Sequence, residues 1–83
     1  MSAVIFTTHT SEPGSNALSP RDSQALLPSG DLLTVHAVRP SGSVLLGLQG
    51  DVQSCRMAFT AEQARAVAAE LLACADALQG GAA

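Results

Sequence analysis

The chain has 83 residues, a formal charge of −3, 47% hydrophobic residues and 13% charged residues. That length allows one domain, spanning 1–83, that buries about 60–65% of the surface its unfolded form exposes. The composition is too apolar for disorder, and four arginines without lysine, Trp or Tyr provide neither a phosphate-neutralising stripe nor a stacking platform.

Ala3–Thr8 reads as a strand, because Val4, Ile5, Phe6, Thr7 and Thr8 are β-branched or aromatic. His9–Leu18 reads as a long loop turning at Pro13-Gly14. Next comes a helix start: Ser19 as cap, Pro20 at the first helical position and Asp22 at the third, where its charge suits the helix dipole. Pro28 stops any such helix by Leu27, which makes 20–27 a short helix; the competing reading is a strand over Gln24–Leu27 turning at Pro28-Ser29-Gly30-Asp31.

A meander follows. Leu32–Val38, Ser43–Gln49 and Ser54–Phe59 read as strands, joined by turns at Arg39-Pro40-Ser41-Gly42 and Gly50-Asp51. Alternation puts Leu33, Val35 and Ala37 on one face of the first. It does the same for Val44, Leu46 and Leu48, and for Cys55, Met57 and Phe59. The opposite parities are wetter, with Thr34, His36, Ser43, Gly47, Ser54 and Arg56.

The C-terminal helix is the clearest signal. Thr60-Ala61-Glu62-Gln63 fits a capping box, strong helix formers follow, and Gly80-Gly81 ends the run. At 100° per residue Ala64, Val67, Ala68, Leu71, Ala75 and Leu78 form one stripe flanked by Leu72 and Cys74. The expected fold is therefore α+β: an antiparallel meander of about four strands with the Thr60–Gln79 helix laid across its apolar face.

Chemistry is scarce. His9 and His36 have no ligand partner at helical spacing, and Cys55 and Cys74 sit at no metal-binding spacing, so no metal or cofactor is expected. Both cysteines read as buried, reduced thiols. No nucleophile elbow, phosphate-cradling loop or paired carboxylates stand out, so an enzyme is not expected. No apolar run reaches membrane-span length, and the N-terminal Met1-Ser2-Ala3-Val4-Ile5-Phe6 has no basic n-region, which points to a cytoplasmic location.

Two surface features remain. Opposite the stripe, Ala66, Ala69, Ala73 and Ala77 could let a second helix approach, as in a homodimer. Glu62, Glu70 and Asp76 on the helix, with Asp31 and Asp51 on turns, would form an acidic rim able to compete for a basic groove; they are the candidate partner-binding residues. In its small size and in its meander followed by TAEQARAVAAELLACADAL, the chain resembles the small accessory proteins of phages and mobile elements, anti-CRISPR proteins among them. That resemblance carries no residue-level motif. It implies a non-catalytic inhibitor whose partner is a host CRISPR effector complex and which blocks the effector's hold on DNA. The alternative is a homodimeric structural or regulatory accessory protein.

Overall fold

A computed structural model describes residues 4–12 and 14–80. Five strands precede one helix: β1 (Thr7–Thr10), β2 (Arg21–Leu26), β3 (Leu32–Val38), β4 (Ser43–Gln49), β5 (Ser54–Thr60) and α1 (Ala61–Gly80). Each strand pairs antiparallel with the next, giving an open sheet in the order β1-β2-β3-β4-β5. The fold is α+β, with five strands where the sequence suggested about four.

The extra strand is β2. The short helix expected over 20–27 does not form. A helix confined between two prolines cannot recover its nucleation cost, whereas an extended chain there gains a full ladder. Asp22, Ser23, Gln24, Ala25 and Leu26 lie opposite His36, Val35, Thr34, Leu33 and Leu32. Ser19, expected to cap the helix, instead donates its hydroxyl to the Arg21 carbonyl at 3.2 Å. The first strand is also displaced: β1 begins at Thr7, and Val4, Ile5 and Phe6 lie exposed ahead of it. Ala3, with which the expected strand opened, and Pro13 and Gly81, of the expected turn and helix end, lie outside the described residues.

Two of the hairpin turns use the same chemistry. In Leu27-Pro28-Ser29-Gly30 and Arg39-Pro40-Ser41-Gly42, proline presets the second turn position and glycine takes a left-handed φ at the fourth, +93° at Gly30 and +63° at Gly42. Each glycine N–H donates to the first residue's carbonyl, at 2.9 Å to Leu27 and 3.2 Å to Arg39. The 11–20 connection is tied down as well. The Ser11 N–H donates to the Pro20 carbonyl, and Arg39 donates its backbone N–H to the Leu18 carbonyl and its Nε–H to that of Ala17.

The strand faces follow the alternation. Leu33, Leu48 and Cys55 form one cross-strand row, Val35, Leu46 and Met57 the next, and Ala37, Val44 and Phe59 the third. This apolar face is shielded mainly by its own neighbours. Its residues on β3 and β4 are half-buried, and only Ala25, at 3% exposure, is fully buried among the described residues.

The helix supplies little of the expected cover because of how it begins. Thr60 is the last residue of β5 and Ala61 the first of α1, with nothing between them. The capping box forms as read: the Gln63 N–H donates to Thr60 Oγ1 at 3.1 Å, and the Thr60 N–H donates to Gln63 Oε1 at 3.0 Å. A helix fixed there has no loop in which to reverse over its own sheet; strand–helix connections usually take 2–6 residues. Gln63, Ala66 and Val67 of its first turns line a shallow hollow together with Ala58 and Phe59. Among the described elements α1 contacts β5 and β4 alone, and none of its residues is buried. Leu71 and Leu78, expected on the sheet, are 66% and 83% exposed.

The cysteines follow the same correction: Cys55 and Cys74, expected to be buried, are both exposed free thiols. Thr60 is exposed as well, so its removal tests the cap without disturbing packing. Thr60→Ala should cost about 0.5–2 kcal/mol and Thr60→Ser less than about 0.5 kcal/mol. Urea unfolding followed by helical circular dichroism measures both.

Candidate functional site

The topology sorts the five candidate carboxylates into two groups. Asp31 and Asp51 come together at one end of the sheet, where the β2–β3 and β4–β5 turns lie side by side and Ser29, Gly30, Val52 and Gln53 complete a shallow hollow. Asp31 is held in place: its Oδ2 accepts the Ser29 hydroxyl at 2.9 Å, and its Oδ1 fills the space that a side chain on Gly50 would need.

Glu62, Glu70 and Asp76 stand on α1, which begins at the opposite end of β5. Helical periodicity spreads them over about 120° of one side. All three are exposed, and Glu70 accepts from the Cys74 thiol at 3.6 Å. The single acidic rim expected from the sequence is thus two separate acidic ends.

The apolar side of α1 lies opposite those carboxylates. Val67, Leu71 and Leu78 lie on it with Ala64, Ala68 and Ala75, and Leu72 flanks it at 66% exposure. Apolar side chains aligned over several turns of a capped helix form a continuous surface rather than scattered exposed residues. Patches of this kind mark interaction sites.

The wetter sheet face carries a second feature. Thr34, Gly47 and Arg56 form one row, and His9, Asp22, His36, Leu45 and Ala58 the next. Asp22 therefore sits between two histidines across three strands. Reading 20–27 as a helix concealed this row; the competing reading, a strand over Gln24–Leu27 turning at Pro28-Ser29-Gly30-Asp31, is close to the β2 that forms. Among the described residues no group of three His, Cys, Asp or Glu side chains is placed to hold a metal ion. A hollow beside this row is lined by Leu18, Thr34, His36, Val38 and Arg56 and opens over Gly47. A Cβ on Gly47 would come within 2.6 Å of Thr34 Oγ1, which lines the same hollow.

No family model matches the chain, and neither a curated protein nor a solved structure is significantly similar to it. Among the described residues no helix is long and apolar enough to cross a membrane.

The Gly47–Thr34 contact makes a coupled prediction. Gly47→Ala should destabilise the sheet by about 1–3 kcal/mol, because the stiff Thr34 side chain must leave its rotamer. In a Thr34→Ala background the same change should cost less than about 1 kcal/mol, since the clash is gone. Denaturant titration of the four proteins in this cycle measures the difference.

Proposed function

We propose that this chain is a non-catalytic protein–protein interaction module, with the apolar side of α1 as its principal contact surface. One observation carries the reading. Leu71, Leu72 and Leu78 are displayed on a helix fixed by a capping box at the sheet's edge and left exposed by every described residue of the chain. Displaying large apolar side chains is unfavourable in water, at about 1.5–3 kcal/mol for each one left unburied. A protein that covers them recovers that free energy as binding. Leu71→Glu combined with Leu78→Glu should abolish stable association, with itself or with another protein, and leave the far-UV spectrum intact. A wild-type chain that is monomeric and captures no specific protein from its native lysate would sink the module reading.

The opposite side of α1 supports a more specific reading, an inhibitor of the phage type that binds a CRISPR effector complex and competes with its DNA. Glu62, Glu70 and Asp76 project together from a rigid element, which suits a basic groove that normally holds phosphates. Asp31 and Asp51 give a second acidic end that could follow the same groove. The reversals Glu62→Lys, Glu70→Lys and Asp76→Lys together should weaken binding to a purified effector at least roughly tenfold, with the larger effect at low salt. Target DNA bound beforehand should block the complex. Effector binding unchanged in the triple reversal excludes the competitor mechanism, and no effector binding excludes the inhibitor.

A further inference from the structure

We propose that the surface covering α1 is the apolar sheet face of a second copy of this chain, in a reciprocal two-fold dimer that exchanges helices. The inference rests on the interaction-module reading and names the partner.

The first support is area. A folded monomer of 8.4 kDa is expected to expose about 4,600 Å², whereas this chain exposes 6540 Å². The excess is about 1,900 Å² per copy, or about 3,800 Å² for two, within the range of obligate homodimers. Shape agrees: the radius of gyration is 14.9 Å, against about 12 Å for a compact domain of this length.

The second support is complementarity within the chain. The helix carries an apolar stripe that stays exposed at Leu71 and Leu78, and the sheet carries Leu33, Val35, Leu46, Leu48, Met57 and Phe59 on one face, which α1 meets only along β4 and β5 among the described elements. Twenty helical residues span about 30 Å and seven strand residues about 23 Å, so one element can lie along the other. The direct β5–α1 junction keeps a helix off its own sheet but not off a partner's. Two copies related by a two-fold axis satisfy both surfaces at once, because each receives the helix that it gives. The other sheet face suits a helix less well, since Thr34, His36, Gln49 and Arg56 interrupt it. The carboxylates of α1 then face outward into water.

Two variants separate the halves of this contact. The helix variant combines Leu71→Glu and Leu78→Glu; the sheet variant is Met57→Glu, at a side chain 46% exposed in the single chain. Wild-type protein at micromolar concentration should sediment at twice the chain mass. Each variant alone should raise the dimer dissociation constant roughly 100-fold or more, since each spoils both symmetric contacts. Mixed in equal amounts, the two should form a heterodimer, resolved by native mass spectrometry, because one intact helix meets one intact sheet. Should a variant fail to fold alone, recovery of the circular dichroism signal on mixing reads the same contact.

Four results would overturn the exchange: a monomeric wild type, a dimer indifferent to both variants, a dimer broken by the helix variant but not the sheet variant, and no rescue on mixing. A monomeric wild type that still captures another protein through α1 refutes the dimer and leaves the module reading standing. A monomer that captures nothing refutes both.

Discussion

The junction between β5 and α1 governs this molecule. A capping box ties Thr60 and Gln63 to each other's backbone N–H groups, so the helix starts one residue after the strand ends. The two elements share a short, stiff corner, and no turn is available to fold one back on the other. Without that turn the chain cannot complete the two-layer packing by which small α+β domains bury their apolar faces. The exposed stripe, and a core that among the described residues is fully buried at Ala25 alone, both follow from it. A loop of even a few residues at this point would permit a self-contained domain; its absence directs the apolar surface outward.

The sheet withstands this arrangement because its local geometry is well specified. Two Pro-Ser-Gly turns fix the β2–β3 and β3–β4 registers, and the central strands β3 and β4 pair over seven positions. The long 11–20 connection is held at the end of β3 by the backbone and guanidinium N–H groups of Arg39. What this design does not supply is a second layer. The apolar rows through Leu33, Val35 and Ala37 are shielded edgewise by their neighbours, and water has access from above. A single-layer sheet of this kind is marginal alone, since little of its apolar area leaves water to offset the entropy of ordering the chain.

Much of this was legible in the residues. Alternation assigned all three apolar rows of β3, β4 and β5 to one face, and Thr60 with Gln63 marked the helix start within a residue. Those features are local, set by side-chain period and by hydrogen bonds three residues apart. The errors lay where local preference and tertiary pairing disagree. Ser19-Pro20-Arg21-Asp22 has good helix-start chemistry, yet from Arg21 onward β1 and β3 offer the chain a ladder on either side. The exposed Cys55, Cys74, Leu71 and Leu78 were misplaced for one reason: an amphipathic helix announces that its stripe needs covering but not by which molecule. Of the candidate site, the helix carboxylates share one side as periodicity requires. The meeting of Asp31 with Asp51, and of His9 with Asp22 and His36, depended on pairings that no short window contains.

The two faces of α1 allow its proposed roles to coexist. The apolar stripe and the carboxylate side are roughly opposite, so a protein seated on Leu71 and Leu78 leaves Glu62, Glu70 and Asp76 in solvent. In a two-fold assembly each helix would present its own acidic side, so the assembly would carry two such sides at a separation fixed by the fold. Charges held on rigid elements bind with less entropic loss than the same charges on mobile loops. Covering the apolar side would therefore strengthen any electrostatic function of the other side, by fixing the helix that carries it. A basic groove long enough to hold nucleic acid could be met by both helices at once, and the second contact would then be governed by effective concentration rather than by a separate encounter. On this physical picture the missing loop at Thr60 links assembly to recognition: the constraint that denies the chain its own second layer is the one that sets the helix out where a partner can use both of its sides.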